Sequence, residues 1–359
     1  MAQHYLLSAE LRDYSLMDIQ GLSEEDAFWV LTVFRWGKRT EQVCPKCGTV
    51  DSHYFRRGRW QWRCKHCART FSLTSGTPLA DRKIGFRKIL LGCYLFVSAA
   101  KGFSAAHLAR MLGVQVKTAW LFMHKLREPL LRQRDVSPLT NMVHIDGGHF
   151  GGKPRKGRVR KKKKNSTSIA EKIQSRGKQR SKRTPNDIRN WLKRKKNRRI
   201  VMVLREVSLT PKTGAVRTIV SVAMSENERD AIELARRHVE PGALIRTDEN
   251  PAYNRLSSWF EHETVEHSKE YATIDGIDSN QAESYFSRLR RFEYGTIHRV
   301  SPQYLMDYAN EMAWREDYRR KTEKAKLTDL LEKLFFNGLS RWWRGYHQGY
   351  RRTTELLMT

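Results

Sequence analysis

The sequence has 359 residues, an apolar fraction of 39% and a formal net charge of +30, because 68 Lys and Arg outnumber 38 Asp and Glu. This length allows two or three domains, and so large a positive charge indicates nucleic acid or an acidic membrane surface as a standing partner. A membrane-spanning helix is excluded, since no segment approaches roughly 18 consecutive apolar residues. The N-terminus lacks the pattern of a signal peptide, so we expect a cytoplasmic protein.

Residues 1–40 show a helical pattern of apolar positions. Ser23 and Asp26 have the spacing of a helix N-cap and its partner. We expect an N-terminal helical segment that packs against the part of the chain that follows it. No function can be read from this stretch.

Two C-x-x-C pairs separated by sixteen residues are typical of a tetrahedral structural zinc site. The predicted ligands of one Zn²⁺ ion are Cys44, Cys47, Cys64 and Cys67. Disulfides are the alternative, which a cytoplasmic chain disfavours, and His66 is an alternative ligand. Residues 41–80 are therefore predicted to form a zinc ribbon. The fifth cysteine, Cys93, lies on an apolar segment and is predicted to be a small core residue.

The predicted ribbon is rich in basic residues around Trp60 and Trp62. These residues are Arg56, Arg57, Arg59, Arg63, Lys65 and Arg69. They favour two interpretations equally, a contact with DNA and a plain solvated face. The sequence does not decide between them.

Residues 81–135 are predicted to form three helices, over 82–100, 104–112 and 116–127, the last two joined by a turn at Gly113. Such a pair is typical of a DNA-binding helix-turn-helix, although simple three-helix packing is the alternative. The residues expected to be buried by the last helix are Val116, Ala119, Trp120, Met123 and Leu126. Gln115, Lys117 and Thr118 would then face a major groove.

Three acidic residues between 140 and 318 occupy ordered settings. Asp146 ends a predicted strand that begins at 142, Asp248 follows the predicted strand 243–247, and Glu283 lies on an amphipathic helix. Each alone is more typical of a solvated turn or a helix cap. Two strand ends and one helix can nevertheless bring three carboxylates to one point, where their oxygens suit Mg²⁺.

The elements predicted between these acids follow a definite order. Strands over 199–207 and 216–224 form a hairpin with a turn at 210–215. A helix at 228–239, the strand that leads to Asp248, a short helix near Leu256, a strand at 264–266 and the helix of Glu283 complete the series. Three strands followed by alternating helix and strand is the order of a ribonuclease H-like fold.

Residues 153–199 carry 22 Lys and Arg against Glu171 and Asp187, a charge of 22 minus 2, or +20. The densest part is the run Lys161, Lys162, Lys163 and Lys164. Because like charges repel and little can be buried, we expect much of this basic insertion to be disordered without a partner, apart from a short helix near 187–195. A nuclear-targeting signal has similar composition. The position directly after the strand of Asp146 favours a clamp on the DNA backbone instead.

Residues 319–359 are predicted to be a basic, aromatic tail. Its aromatic residues include Trp342, Trp343, Tyr346 and Tyr350. Stacking of these rings on unpaired bases and packing of the tail as a terminal helix are equally compatible with the sequence.

These motifs resemble those of the zinc-ribbon DDE transposases of bacterial insertion sequences, in the ISXO2-like group. The matching positions are Asp146 with Gly151 and Gly152, residues 247–256, Asn280 with Glu283, Arg290, residues 294–296, His298 and residues 300–302. The resemblance covers about residues 15–315. Two positions depart from the family pattern: Gly147 stands where a glutamate usually follows the first acid, and Arg290 stands where a lysine usually follows the third.

The resemblance implies a transposase that cuts the ends of its element and joins them to target DNA. Asp146, Asp248 and Glu283 would hold two Mg²⁺ or Mn²⁺ ions, and Arg290, two helical turns after Glu283, would bind a phosphate near the scissile bond. Asn280 would be an auxiliary ligand or, as we favour, a helix cap. The implied partners are double-stranded DNA of the terminal repeats and the target, and further copies of the chain on that DNA at the nucleoid.

The predicted fold class is multidomain α+β: a zinc ribbon, a helix-turn-helix and a ribonuclease H-like α/β catalytic domain over 140–318 that contains the basic insertion. Two other functional classes stay open. A DNA-binding regulator derived from a transposase would keep the DNA-binding residues and lose an acid, whereas all three acids are present. A ribonuclease H-like DNA nuclease would share the metal site but would have less need of a separate module that reads sequence.

Overall fold

The computed structural model describes residues 9–151, 198–210, 213–265 and 280–358. The helices of this part are α1 (Leu16–Gln20), α2 (Glu24–Trp36), α3 (Phe86–Ser98), α4 (Ala105–Leu112), α5 (Val116–Arg132), α6 (Glu228–His238), α7 (Asn280–Phe292), α8 (Pro302–Asp317) and α9 (Glu323–Phe336). The strands are β1 (Gln42–Val43), β2 (Val50–Asp51), β3 (Tyr54–Arg56), β4 (Gln61–Arg63), β5 (Thr70–Ser72), β6 (Met142–Gly151), β7 (Arg198–Val207), β8 (Ala215–Ala223), β9 (Leu244–Asp248) and β10 (Glu261–Val265).

The N-terminal helices begin and end where their capping residues require. The Ser23 hydroxyl accepts a hydrogen bond from the Asp26 backbone N–H, and the Asp26 carboxylate accepts one from the Ser23 N–H, which completes the predicted cap of α2. Gly37 ends the helix at φ 76°, in the left-handed region that favours glycine. On its inner face, Phe28 stacks on Trp62 of the ribbon with 5.3 Å between ring centroids. The N-terminal helices and the ribbon therefore share one core.

This first core extends into the helices that follow the ribbon and into α9. Ile89, Leu90 and Phe96 of α3 are fully buried in it, as are Leu330 and Leu331 of α9. The segment expected to be a tail from residue 319 onward thus begins with a packed helix. Its leucines bind the C-terminal part of the chain to the N-terminal half.

The predicted helix-turn-helix segment folds as two helices with the expected turn. The Ser104 hydroxyl accepts a 3.1 Å hydrogen bond from the His107 N–H and caps α4, while Gly113 adopts a left-handed φ of 59° between the helices. The prediction that Val116 is buried is wrong, since its side chain is 54% exposed. The first turn of α5 lies at the surface; Ala119, Met123 and Leu126 are buried as predicted, and Trp120 is half-buried.

The second half of the chain is built on a five-stranded sheet of order β10-β9-β6-β7-β8. The strands β6, β7 and β8 are antiparallel neighbours, whereas β9 and β10 continue the sheet in parallel with β6. Every described element of this domain appears in the predicted order. One detail was predicted wrongly: β6 runs on to Gly151, so Asp146 lies inside the strand and not at its exit. Pairing with β7 over the whole length of β6 holds this extension.

Helices cover both faces of this sheet, because alternate residues of each strand point in opposite directions. Val201 and Val203 of β7 pack with α7 and α8, whereas Ile200, Met202 and Leu204 pack with α6. Two separate cores result, one on each face. The domain therefore has three layers, with the sheet in the middle.

One of the two expectations for the residues after α9 was a terminal helix, but from the end of α9 to residue 358, where the described part of the chain stops, the structure contains only a 3-10 turn, Tyr346–Gln348. Trp343 is 1% exposed and lies 5.3 Å, between ring centroids, from Trp120 of α5. Its ring is therefore part of the core, whereas Tyr350 is 72% exposed. Among the described helices, none has both the length and the apolar character needed to cross a membrane.

Candidate active site

The first two predicted acids lie side by side on neighbouring strands. The parallel pairing of β6 with β9 ends at His144 and Arg246, and Asp146 and Asp248 each lie two residues further along their strands. Since side chains two residues apart point to the same face of a sheet, both carboxylates project from the face that carries His144 and Arg246. The two strands thus bring the two acids together where their pairing stops.

Backbone hydrogen bonds orient both carboxylates. The Gly147 N–H donates a 2.6 Å hydrogen bond to Oδ1 of Asp146, and the Asn250 N–H donates a 3.1 Å hydrogen bond to Oδ1 of Asp248. The Asn250 side chain in turn accepts from the Ala252 N–H and starts the 3-10 helix that follows. Each acid is therefore fixed by the turn or strand residue next to it, which leaves its second oxygen for another ligand.

The third predicted acid reaches this face from α7. Glu283 is exposed in the first turn of the helix, while Tyr285 and Phe286 are fully buried against the sheet. The close approach depends on Gly148 of β6, where an added Cβ would lie 2.4 Å from Cε1 of Phe286. A glycine two residues after Asp146 therefore lets α7 lie directly on the strand. This contact sets Glu283 near the two strand acids.

These acids influence one another electrostatically. Burial, together with the negative charges of Asp248, Glu226 and Glu283, raises the pKa of Asp146 to about 7. Burial and the charge of Asp248 also raise the pKa of Glu226. A site that disfavours its own negative charges in this way is stabilised by a cation, and carboxylate oxygens are the donors that Mg²⁺ prefers. The donor set therefore fits a hard divalent ion.

The acids are spaced more widely than the cysteines of the ribbon. In the described parts of the chain, the four cysteines are the only group in which three or more His, Cys, Asp or Glu ligand atoms all lie within 4.8 Å of one another. The Sγ atoms of Cys44 and Cys67 are 3.7 Å apart, as are those of Cys47 and Cys64. Four thiolates at about 2.3 Å from a zinc ion would lie about 3.8 Å apart, so this cluster fits one structural Zn²⁺ closely.

The other cysteine predictions also agree with the structure. None of the five cysteines forms a disulfide, and the described four-cysteine group does not include His66, which is exposed. Cys93 is fully buried in the first core, and this burial raises the pKa of its thiol well above the usual range. It is therefore an unreactive core residue.

Arg290 lies on α7 with Glu283 and is exposed. The central carbon of its guanidinium is 5.7 Å from the centroid of the Phe286 ring. Its charge also reaches His149 of β6, whose pKa is lowered by burial, by Arg198 and by Arg290. Arg290 thus lies on the β6 side of α7, beside the strand of Asp146. The side chain of Asn280 lies outside the described residues.

One acid of this site was missed by the sequence reasoning. Glu226 follows β8, and its carboxylate accepts a 2.7 Å hydrogen bond from the hydroxyl of Tyr253. An added Cβ on Gly147 would lie only 2.2 Å from Oε1 of Glu226. The strand order alone could have indicated this acid. Since β8 runs in the same direction as β6, a residue just after the end of β8 lies near the part of β6 that follows Asp146.

The residues predicted to contact DNA lie at the start of α5. Gln115 and Lys117 are exposed, whereas Thr118 is half-buried. The Lys117 ammonium lies 5.7 Å from the centroid of Tyr346, so the C-terminal residues border this surface. The predicted backbone contacts of Lys161, Lys162, Lys163 and Lys164 and the short helix near 187–195 fall outside the described residues.

Comparison with protein families gives two matches. A model described as the ISXO2-like transposase domain matches residues 138–317, half of the chain. A model described as the transposase zinc-ribbon domain matches residues 22–70, which include α2 as well as the ribbon, in agreement with the packing of Phe28 on Trp62. No match was found among curated proteins.

Proposed function

Because the chain belongs to the family of ISXO2-like transposases, we propose that it is a DNA transposase that cuts the ends of an insertion sequence and joins them to target DNA. The observation that carries this proposal is the meeting of Asp146 and Asp248 at the end of a parallel strand pair, with Glu283 brought to the same face by α7. Such a set of oxygen donors is suited to metal-assisted phosphoryl transfer.

Asp146, Asp248 and Glu283 would hold two Mg²⁺ or Mn²⁺ ions. When bound, such ions would supply Lewis-acid activation of an attacking water or 3′-hydroxyl and would stabilise the negative charge on the departing 3′ oxygen. The Gly147 and Asn250 N–H groups keep the two aspartates oriented before the substrate arrives. Arg290, exposed beside β6, would bind a phosphate next to the scissile bond through its guanidinium fork.

The sheet order, with three antiparallel strands followed by two parallel ones, supports a ribonuclease H-like catalytic domain. The pair of helices α4 and α5 supports a helix-turn-helix in which Gln115, Lys117 and Thr118 read bases in a major groove. The basic insertion adds contacts to phosphates that do not depend on sequence. The protein would thus act at the nucleoid, as an oligomer assembled on the element's ends.

A strand-transfer assay tests this function. Labelled DNA from the two ends that flank the gene is incubated with the protein, a supercoiled target plasmid and Mg²⁺, with EDTA added to a parallel reaction. We expect cleavage at the 3′ ends and covalent joining to the plasmid in Mg²⁺ alone. Cleavage without joining would favour a nuclease, and specific binding without cleavage would favour a regulator.

A further inference from the structure

The Glu226 carboxylate occupies the space that a side chain at Gly147 of β6 would fill. An added Cβ on Gly147 would lie 2.2 Å from Oε1, 2.5 Å from Cδ and 3.0 Å from Oε2 of Glu226, so the whole carboxylate covers the Cα of this glycine. The N–H of the same glycine donates to Asp146. The carboxylates of Asp146 and Glu226 therefore both contact Gly147, the first at its N–H and the second over its Cα.

Tyr253 fixes Glu226 in this position. The tyrosine is 1% exposed and packs in the core between the sheet and α6, and its hydroxyl donates a 2.7 Å hydrogen bond to Oε1 of Glu226. A buried hydroxyl needs such a partner, so the bond anchors the carboxylate to a rigid core. Tyr253 belongs to the 3-10 helix that begins directly after Asn250, the residue whose N–H binds Asp248. The turn that orients Asp248 therefore also orients Glu226.

Glu226 also lies close to the first strand acid, since its carboxylate packs on Gly147, whose N–H binds Asp146. A half-buried carboxylate held among like charges is costly unless a cation compensates for it. The bond from Tyr253 occupies one lone pair of Oε1 and leaves Oε2 to bind another group.

We infer that Glu226 is a fourth carboxylate ligand of the divalent cation site, supplied from the end of β8 and positioned by Tyr253. This inference rests on the proposed function, because it adds a residue to the metal site of the transposase. It also explains Gly147: a side chain at that position would exclude the Glu226 carboxylate.

The test measures Mn²⁺ binding to the full-length protein by electron paramagnetic resonance, without DNA, in protein that keeps its ribbon zinc and contains no other divalent ion. Glu226→Gln keeps the shape and the acceptor for Tyr253 but removes the charge, and we expect it to weaken Mn²⁺ binding by about tenfold or more. Tyr253→Phe should weaken binding less. Glu249→Gln, an exposed acid next to Asp248, is the matched control and should bind Mn²⁺ like the wild type.

A second set of variants moves the carboxylate from position 226 to position 147. It distinguishes the loss of a metal ligand from a folding defect. Gly147→Glu should impair Mn²⁺ binding by itself, because Glu226 occupies the space, whereas Gly147→Glu combined with Glu226→Ala should restore affinity to within a few-fold of the wild type. Wild-type Mn²⁺ affinity in Glu226→Gln, with binding lost in Asp248→Asn, would overturn the inference and leave the proposed function intact. Wild-type affinity in both variants would overturn the proposed metal site itself.

Discussion

The Arg127 guanidinium of α5 and the Glu311 carboxylate of α8 form an ion pair of 2.6 Å, and both side chains are almost completely buried. This pair joins the predicted DNA-reading helix to a helix that packs on the five-stranded sheet. Glu311 also accepts a 2.7 Å hydrogen bond from Arg315. The two halves of the chain are thus connected by a buried charge network.

We predict that Glu311→Ala lowers the free energy of unfolding by about 3–5 kcal/mol, because it leaves two buried guanidinium groups without their shared anion. Denaturant titration followed by circular dichroism measures the change. Glu41→Ala removes an ion pair whose side chains are at least half exposed, and this control should cost less than about 1 kcal/mol. Equal losses in the two variants would argue against a structural role for the buried network.

The ribbon is predicted to depend on zinc. Freshly purified protein should contain one zinc ion per chain by elemental analysis, and Cys44→Ser should lose this ion because it removes one of the four ligands. Structural zinc contributes roughly 10–16 kcal/mol to the folding of comparable peptides. Chelation should unfold the ribbon and with it the packing of Phe28 on Trp62. Cys93→Ala, at a buried cysteine outside the cluster, should retain the zinc. Zinc-free wild-type protein that keeps its ribbon folded would refute the assignment.

Stability without metal should depend on pH through Asp146. Its folded pKa of about 7 lies above the usual 3.8, so between these values the folded state binds more protons than the unfolded state, and the free energy of unfolding falls as pH rises. In protein that keeps its zinc but has no Mg²⁺ or Mn²⁺, Asp146→Asn should therefore be more stabilising at pH 7.5 than at pH 5, by on the order of 2 kcal/mol. Burial also raises the pKa of Asp317 to about 7. The free energy of unfolding of Asp146→Asn should therefore still fall somewhat as the pH rises. An identical effect at both pH values would contradict this origin.

The basic insertion should provide salt-sensitive affinity. If the insertion neutralises about six phosphates, it should contribute a slope of about minus five to a plot of the logarithm of the DNA-binding constant against the logarithm of the salt concentration. Deletion of residues 155–196 should remove that slope and weaken binding to all duplexes alike in fluorescence anisotropy titrations. Replacement of Gln115, Lys117 and Thr118 by Ala should instead reduce the preference for element ends, by roughly 1–3 kcal/mol per lost base contact. An unchanged slope after the deletion would assign these contacts elsewhere.

Local patterns predicted most of the described elements. The alternation in β7 and β8 gave their hairpin, and the caps at Ser23 and Ser104 lie where side-chain hydrogen bonding requires them. The cysteine spacing was sufficient to indicate the zinc cluster, because two tight turns fix four thiolates with few remaining degrees of freedom. Each of these features depends on residues close together in the sequence.

Features that depend on distant contacts were harder to predict. The end of β6 was placed at Asp146 because the apolar run stops there, but pairing with β7, which follows the basic insertion, extends the strand. Val116 belongs to an apolar stripe of α5 in the sequence, but its side chain is exposed. Burial at this position requires another element to pack on the first turn of α5, which the local pattern does not reveal. Glu226 was missed because its contacts with Gly147 and Tyr253 join three separate segments. Nothing local distinguishes it from a surface acid.

The most direct test of the account compares Asp248→Asn with the wild type on the same labelled element ends, with cleavage, joining and binding each measured in Mg²⁺. Asp248→Asn removes a carboxylate of the metal site and no phosphate-binding cation, so we predict that cleavage and joining are abolished while end binding stays nearly unchanged. Glu249→Gln should retain all three. Joining by Asp248→Asn at the wild-type rate would contradict the central claim that this acid belongs to the catalytic site.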